Sequence, residues 1–126
     1  MKYKNLHSLK SKIAVVTGAA GLIGKEIVAA LVEYGATVIA VDIKKAPEFD
    51  NVIFRCADTT NEKGVRSLID FIDKKYARID IWVNSAYPKT NNWPAKFEDI
   101  SMSSWNKNIV MQLGGYFICC QKVAEY

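Results

Sequence analysis

The chain has 126 residues, half of them hydrophobic, which is enough for one globular core and too short for a second domain. Its formal net charge of +4 is supplied by Lys2, Lys4, Lys10 and Lys12, because the other 13 of its 17 basic residues match the 13 acidic ones; a balanced body with a small basic tail argues against nucleic acid as the main partner. No apolar stretch in the first twelve residues suits a signal peptide and none elsewhere approaches a membrane span, so a cytoplasmic protein without a membrane partner is expected.

After a polar lead-in from Met1 to Ser11, the apolar run Ile13 to Val16 predicts a strand buried on both faces and ending on Thr17. Gly18, Gly21 and Gly24 follow at once. Leu22, Ile23, Ile27, Val28, Leu31 and Val32 then recur at helical spacing as far as Tyr34, where Gly35 stops the helix. The glycines therefore sit where a buried strand turns into a helix, a junction suited to phosphate. The first permits a tight turn, the second lets a pyrophosphate approach the backbone, and the third lets helix and strand pack closely. A second strand, Thr37 to Asp42, ends on an acid at the interval that reaches the hydroxyls of an adenosine ribose. Asp42 could merely close a strand, but strand, glycines, helix, strand and acid in this order favour a dinucleotide site.

A loop containing Lys44, Lys45 and Pro47 leads to a third strand, Val52 to Cys56, with Asp58 just past it. Thr59 and Glu62 have capping-box spacing, and Val65, Leu68, Ile69, Ile72 and Tyr76 form the stripe of a second helix. The fourth strand spans Ile79 to Asn84. A loop from Ala86 to about Ile100 exceeds the usual connection length; a solvated connection and a functional loop both fit it. Ser103 to Glu125 reads as one helix with Trp105, Ile109, Leu113, Tyr116, Phe117 and Cys120 on a stripe, by default the sheet-facing core. Cys56, Cys119 and Cys120 lack metal-ligand spacing and read as reduced core thiols rather than a redox pair. Alternating strands and helices imply a parallel, doubly wound α/β sheet of order 3-2-1-4. Gly18 to Gly24, Asp42, Asp58 and Asn84 all fall at carboxyl ends of strands, where such sheets bind ligands.

From Ser8 onward the chain resembles the short-chain dehydrogenases/reductases. The resemblance rests on Leu-Lys-Ser-Lys-Ile-Ala-Val-Val-Thr-Gly, on Cys-Ala-Asp-Thr after strand 3, on Ile-Asp-Ile-Trp-Val-Asn-Ser-Ala at strand 4, and on Trp-Asn-Lys-Asn with Gly-Tyr-Phe in the last helix. It implies a Rossmann fold and an oxidoreductase moving a hydride between a nicotinamide dinucleotide and an alcohol or ketone. By that resemblance Ala20, Gly21, Leu22 and Ile23 wrap the pyrophosphate, Asp42 and Ile43 hold the adenosine ribose, Asp58 and Thr59 meet the adenine, and Asn84, Ser85 and Ala86 line the floor near the nicotinamide ribose. An acid at Asp42, with no basic residue at Ala20 or Ile43, looks like the NAD-preferring pattern rather than the NADP one. The last helix commonly pairs with its twin across a two-fold axis in this family, so a homo-oligomer is implied.

The chain departs from the family in several places. Its Thr-Gly-x-x-Gly-x-x-Gly spacing is that of the extended branch, whereas its other motifs look like the shorter one. Asn84-Ser85-Ala86-Tyr87 stands where Asn-Asn-Ala-Gly is usual. Gln112 stands where the family places an active-site Asn, and reads equally as a hydrogen-bonding site residue on a longer arm and as a solvated helix residue. The Tyr-x-x-x-Lys pair of the family's proton transfer is absent: the residues four places after Tyr3, Tyr34, Tyr76, Tyr87 and Tyr116 are His7, Val38, Asp80, Asn91 and Cys120. Residues 1–126 are therefore expected to be a dinucleotide-binding domain cut off before its catalytic half and inactive alone; the alternative is a non-catalytic dinucleotide-binding sensor or scaffold. Ala-Tyr-Pro-Lys, Lys-Phe-Glu-Asp and Leu-Gly-Gly-Tyr-Phe further resemble the reductases of bacterial flagellin-sugar and nonulosonic acid pathways. That implies a phosphorylated or nucleotide-linked sugar, met by Lys89, Asn91, Asn92, Trp93 and Lys96.

Overall fold

A computed structural model describes residues 7–44 and 50–126; Lys2 and Lys4 of the basic tail, and Lys45 and Pro47 of the loop after the second strand, lie outside them. Strand β1 (Ile13–Thr17) is followed by helix α1 (Leu22–Glu33), β2 (Thr37–Asp42), β3 (Val52–Cys56), α2 (Glu62–Tyr76) and β4 (Ile81–Val83). A short 3₁₀ turn (Phe97–Asp99) then precedes α3 (Met102–Ile109), a π-helical turn (Val110–Gly114) and α4 (Gly115–Glu125). The strands form one parallel sheet of order β3-β2-β1-β4, as the alternation predicts, with Ile13 opposite Thr37, Ala14 opposite Ile81 and Val38 opposite Val52.

The period of two along each strand sorts the core into two layers. Ala14, Val16, Val38 and Ala40 face Val28 of α1, whereas Ile13, Val15, Ile39 and Val41 face Leu68 and Ile72 of α2. β1 is buried along its whole length because both its neighbours and both its covering helices are present, which is why it reads as an uninterrupted apolar run. Val65 and Ile69 extend the second layer to Cys119 of α4.

Three elements differ from the pattern read in the sequence, each for a local reason. β4 is shorter than Ile79 to Asn84. At one end the Asp80 carboxylate accepts the Ile13 N–H at 2.9 Å and takes Lys12 and Arg78; at the other, the N–H groups of Ser85 and Ala86 turn to the Thr17 hydroxyl. The Thr59–Glu62 capping box does not form. Asp58 gathers Thr60 and Asn61, and Asn61 becomes the N-cap, its Oδ1 accepting the Gly64 N–H at 2.9 Å.

The last helix is the largest correction. It starts one residue earlier, capped by Ser101, and the π-helical turn divides it. The stripe assigned to the core faces outward: Trp105, Ile109, Leu113 and Phe117 are 39–65 % exposed, Cys120 is exposed and Tyr116 is half-buried. The buried positions are Ser104 and Asn108 on α3, and Gly115, Cys119 and Lys122 on α4. Polar residues occupy them because each is satisfied: Asn108 and Ser104 bond Thr90 and Asn92 of the long loop, and Lys122 pairs with Glu62 of α2 and Glu125. The cysteines are corrected in the same way. All three are free, but only Cys119 is in the core, while Cys56 and Cys120 are exposed.

Candidate dinucleotide site

The site begins where β1 ends. Thr17 is buried, and its hydroxyl donates to the Val83 carbonyl at 3.3 Å while accepting the N–H groups of Ser85 at 3.1 Å and Ala86 at 3.2 Å. One side chain thus locks the carboxyl ends of β1 and β4 together. Gly18 then turns the chain at φ +68°, and a Cβ there would lie 2.6 Å from Ala86 Cα. Only glycine meets both demands.

Gly24 lies in the first turn of α1, where a Cβ would sit 2.1 Å from the Gly18 carbonyl oxygen, so the helix rests directly on the turn. The helix has no side-chain N-cap and no acidic residue in its first turn. Ala19 N–H is used by Val41 and Gly21 N–H by Gly18, whereas the N–H groups of Leu22, Ile23 and Gly24 have no acceptor among the described residues. Three unpaired donors at a positive helix end, above a turn built only of glycine and alanine, make a cradle suited to an anion. Leu22 and Ile23 are 82 % and 72 % exposed beside it.

Asp42 closes β2 within reach of that turn. Its Oδ2 accepts the Ala20 N–H and its Oδ1 the Lys44 N–H, both at 3.0 Å. Each carboxylate oxygen keeps a lone pair for a further donor. Ile43 is exposed next to it. One strand further out, Asp58 accepts from the Thr60 hydroxyl at 2.7 Å, the Thr60 N–H at 2.9 Å and Asn61 Nδ2 at 3.1 Å. The Thr60 hydroxyl is the main reason its carboxyl is held below the ordinary carboxylate value. A backbone bond from Ala57 N–H to the Asp42 carbonyl ties the two acids' segments together.

Asn84 is turned toward the last helix: its Oδ1 accepts from Trp82 Nε1 at 3.0 Å and its Nδ2 meets Cys120 Sγ at 3.4 Å. The backbone of Ser85 and Ala86, rather than the Asn84 side chain, forms the surface beside Gly18. Gln112 lies half-buried within the π-helical turn, and its side chain has no hydrogen-bond partner among the described residues. Two contributors to this geometry carry no role in the motif reading. Thr17 appears there only as the last residue of a strand, although a hydroxyl ending an apolar run was a legible signal. Tyr116, assigned to the core stripe, instead donates its phenol to the Ala86 carbonyl at 2.9 Å; nothing in the spacing of the helix marks it.

The long loop is ordered by its own contacts. Thr90 and the buried Ser104 and Asn108 form a polar seam, Trp93 Nε1 donates to the Tyr87 hydroxyl at 2.6 Å, and Trp93 lies 6.0 Å from Trp105 between ring centroids. Asn92 joins that seam, so Asn92 and Trp93 serve the loop itself. Among the described residues no three His, Cys, Asp or Glu side chains gather as a metal site, and no helix is long and apolar enough to cross a membrane.

A parallel sheet of order β3-β2-β1-β4, with free N–H groups beyond its central strand and an acid closing the next, is a Rossmann-type α/β architecture. The family model described as short chain dehydrogenase matches residues 12–126, and the chain belongs to that oxidoreductase family, whose members bind NAD(P). It is 31 % identical over 128 residues to D-threitol dehydrogenase of Mycolicibacterium smegmatis and 32 % over 125 residues to NAD-dependent glycerol dehydrogenase of Listeria innocua, covering 93 % and 94 % of this chain and 48 % of each relative. It is 26 % identical over 130 residues to post-translational flagellin modification protein A of Campylobacter coli, covering 94 % of this chain and 51 % of that protein. Among solved structures, ligand-free aldohexose dehydrogenase of Thermoplasma acidophilum superposes with a TM-score of 0.81 at 32 % identity, over 94 % of this chain and 45 % of that one. The 3-ketoacyl-(acyl-carrier-protein) reductase of Brucella melitensis complexed with NADH gives 0.80 at 25 %, over 92 % and 50 %. The chain spans about half the length of the relatives it matches.

Proposed function

We propose that this chain is the dinucleotide-binding part of an NAD-dependent oxidoreductase that moves a hydride between NAD(H) and an alcohol or ketone on a sugar-like substrate. The observation that carries the reading is the cradle of Leu22, Ile23 and Gly24 N–H groups above Gly18, with Asp42 at the end of the adjacent strand. The residues fit the group. The free donors receive the pyrophosphate, the remaining lone pairs of Asp42 receive the adenosine ribose hydroxyls, Ile43 and the Asp58–Thr59 segment border the adenine, and the Ser85–Ala86 backbone carries the nicotinamide side. The nicotinamide, when bound, gives or takes the hydride. A carboxylate at Asp42 attracts ribose hydroxyls and repels a 2′-phosphate, which supports NAD over NADP.

A polyhydroxy substrate is supported by the threitol, glycerol and aldohexose specificities in the names of the relatives and the neighbour. A phosphorylated or nucleotide-linked sugar draws support from the flagellin-modification relative and from exposed Lys89, Asn91 and Lys96 on the loop. Three free thiols accord with a reducing compartment such as the cytoplasm. The exposed apolar row of Trp105, Ile109, Leu113 and Phe117 supports pairing of two copies through the last helix. No residue among the 126 is assigned the proton transfer, and by themselves they are expected to bind NADH without turnover; Gln112 is kept as a substrate-side hydrogen-bonding group.

The test is a fluorescence titration with NADH and NADPH. Asp42→Ala is expected to weaken NADH binding by about tenfold or more, the size of one charge-assisted hydrogen bond, and NADPH binding far less. An unchanged ratio of the two affinities removes Asp42 from the ribose site.

A further inference from the structure

The adenosine ribose at the end of β2 and the pyrophosphate at the start of α1 fix the direction in which a dinucleotide crosses the sheet. Its other half falls on the β4 side, over the Ser85–Ala86 backbone. That surface is a bare peptide chain, and its position depends on what holds it.

We infer that Tyr116 is a positioning residue for the reactive half of the dinucleotide, acting through the Ala86 peptide. The inference rests on the dinucleotide reading given above. Ala86 is gripped from two sides: its N–H is accepted by Thr17 Oγ1 at 3.2 Å, and its carbonyl accepts the Tyr116 phenol at 2.9 Å. Thr17 belongs to the sheet, Tyr116 to α4, so the two peptide planes that meet at Ala86 Cα are held by separately anchored elements. α4 is fastened to α2 by Cys119 in the core and by the Lys122–Glu62 pair at 3.2 Å, so the phenol hangs from a rigid support.

The tolerance is small. The Gly18 turn is packed so tightly on Ala86 that even a methyl group at Gly18 would lie 2.6 Å from Ala86 Cα and 2.8 Å from the Ser85 carbonyl oxygen. A floor that drifts by a few tenths of an ångström therefore either presses on the phosphate turn or leaves a gap beneath the bound group. Thr17 alone fixes the peptide before Ala86 Cα and leaves the one after it free to turn; the second bond, to the carbonyl, removes that freedom. The phenol is half-buried, so water replaces it imperfectly when it is removed.

The effect is confined to one end of the ligand. Asp42 and Asp58, which serve the adenosine end, have no hydrogen bond to Tyr116 or Ala86. Tyr116→Phe in the native protein should therefore weaken NADH binding by about fivefold, the worth of one neutral hydrogen bond, and leave ADP binding within twofold of the parent. NADH is followed by its fluorescence and ADP by calorimetry, with circular dichroism confirming that the variant is folded. Equal losses for NADH and ADP would show a general loosening and overturn the assignment, as would unchanged NADH affinity. Should Tyr116→Phe prove unfolded, Thr17→Val provides the second arm by loosening the N–H side of the same residue, Ala86, and the same contrast between NADH and ADP is required of it. Failure of the parent protein to bind NADH at all is a different result, which rejects the dinucleotide reading itself.

Discussion

Two glycine substitutions in the same chain should change stability in opposite directions. In an exposed helical position, alanine is favoured over glycine by about 1 kcal/mol because it restricts the unfolded chain. Gly114 has the room that such a gain needs: it is half-buried, but its backbone is helical at φ −61° and ψ −42° and a Cβ there meets nothing within 4 Å. Gly114→Ala should be neutral or stabilising by up to about 1 kcal/mol. Gly24 has the same helical preference but no space. Its Cβ would lie 2.1 Å from the Gly18 carbonyl and 2.9 Å from Ala19 Cα, so α1 must lift from the turn by more than an ångström to reach ordinary contact. Overpacking costs about 1–3 kcal/mol where surroundings yield. Here the obstacle is backbone held by β1, so the upper end applies, and after the helical gain the net loss is about 2 kcal/mol, or roughly 8 °C in melting temperature. Thermal and urea unfolding of the three proteins measure this, and an NADH titration of Gly24→Ala should show affinity falling by at least about tenfold as the anion cradle opens. A Gly24→Ala protein as stable as Gly114→Ala would refute the close contact on which the site is built.

Two further outcomes follow from charge and burial. Asp80 is held far below the ordinary carboxylate value, first by Arg78, then by the Ile13 N–H and Lys12. Because its folded value is depressed, its contribution is complete above the unfolded value of about 4 and is lost as pH falls through the folded one. Asp80→Asn should thus be less stable than the parent at pH 7, with the difference shrinking steadily below about pH 4; a constant difference in urea unfolding from pH 7 to pH 2 would contradict this. Burial, and then the neighbouring Cys120, push the Cys119 thiol up to about 11. Native iodoacetamide treatment followed by intact mass should add label at exposed Cys56 and Cys120 only, with Cys119 reacting after denaturation; labelling of Cys119 in the folded protein would disprove its place in the core.

The sheet was legible because its signals are local and redundant. Val15 and Val16 in an unbroken apolar run, the glycines beside Leu22 and Ile23, and Asp42 at the right interval each require the same arrangement, and the order β3-β2-β1-β4 follows from right-handed crossovers. Hydrophobicity alone selects the wrong face of the last helix. Trp105, Ile109, Leu113 and Phe117 do share a face, but Ser104, Asn108 and Lys122 are the residues that turn to partners on the long loop and α2. Partners 12 to 60 residues away leave no periodic trace. The start of α2 failed for a similar reason: Thr59 has the right spacing to Glu62, yet Asp58 recruits Thr60 and Asn61 and moves the cap. In the candidate site, the placement of the glycines and Asp42 at the carboxyl ends of β1 and β2 is readable from spacing. The use of Asn84 against Trp82 and Cys120, and of Tyr116 against Ala86, depends on how β4 meets α4 in space.

The cradle at the start of α1 is tested most directly by a ¹⁵N-labelled amide titration with NADH. The account predicts that the Leu22, Ile23 and Gly24 resonances move together and saturate, while amides on the outer face of α2, at Lys63, Arg66 and Asp70, stay in place. Saturable binding that leaves those three N–H groups unshifted would contradict it.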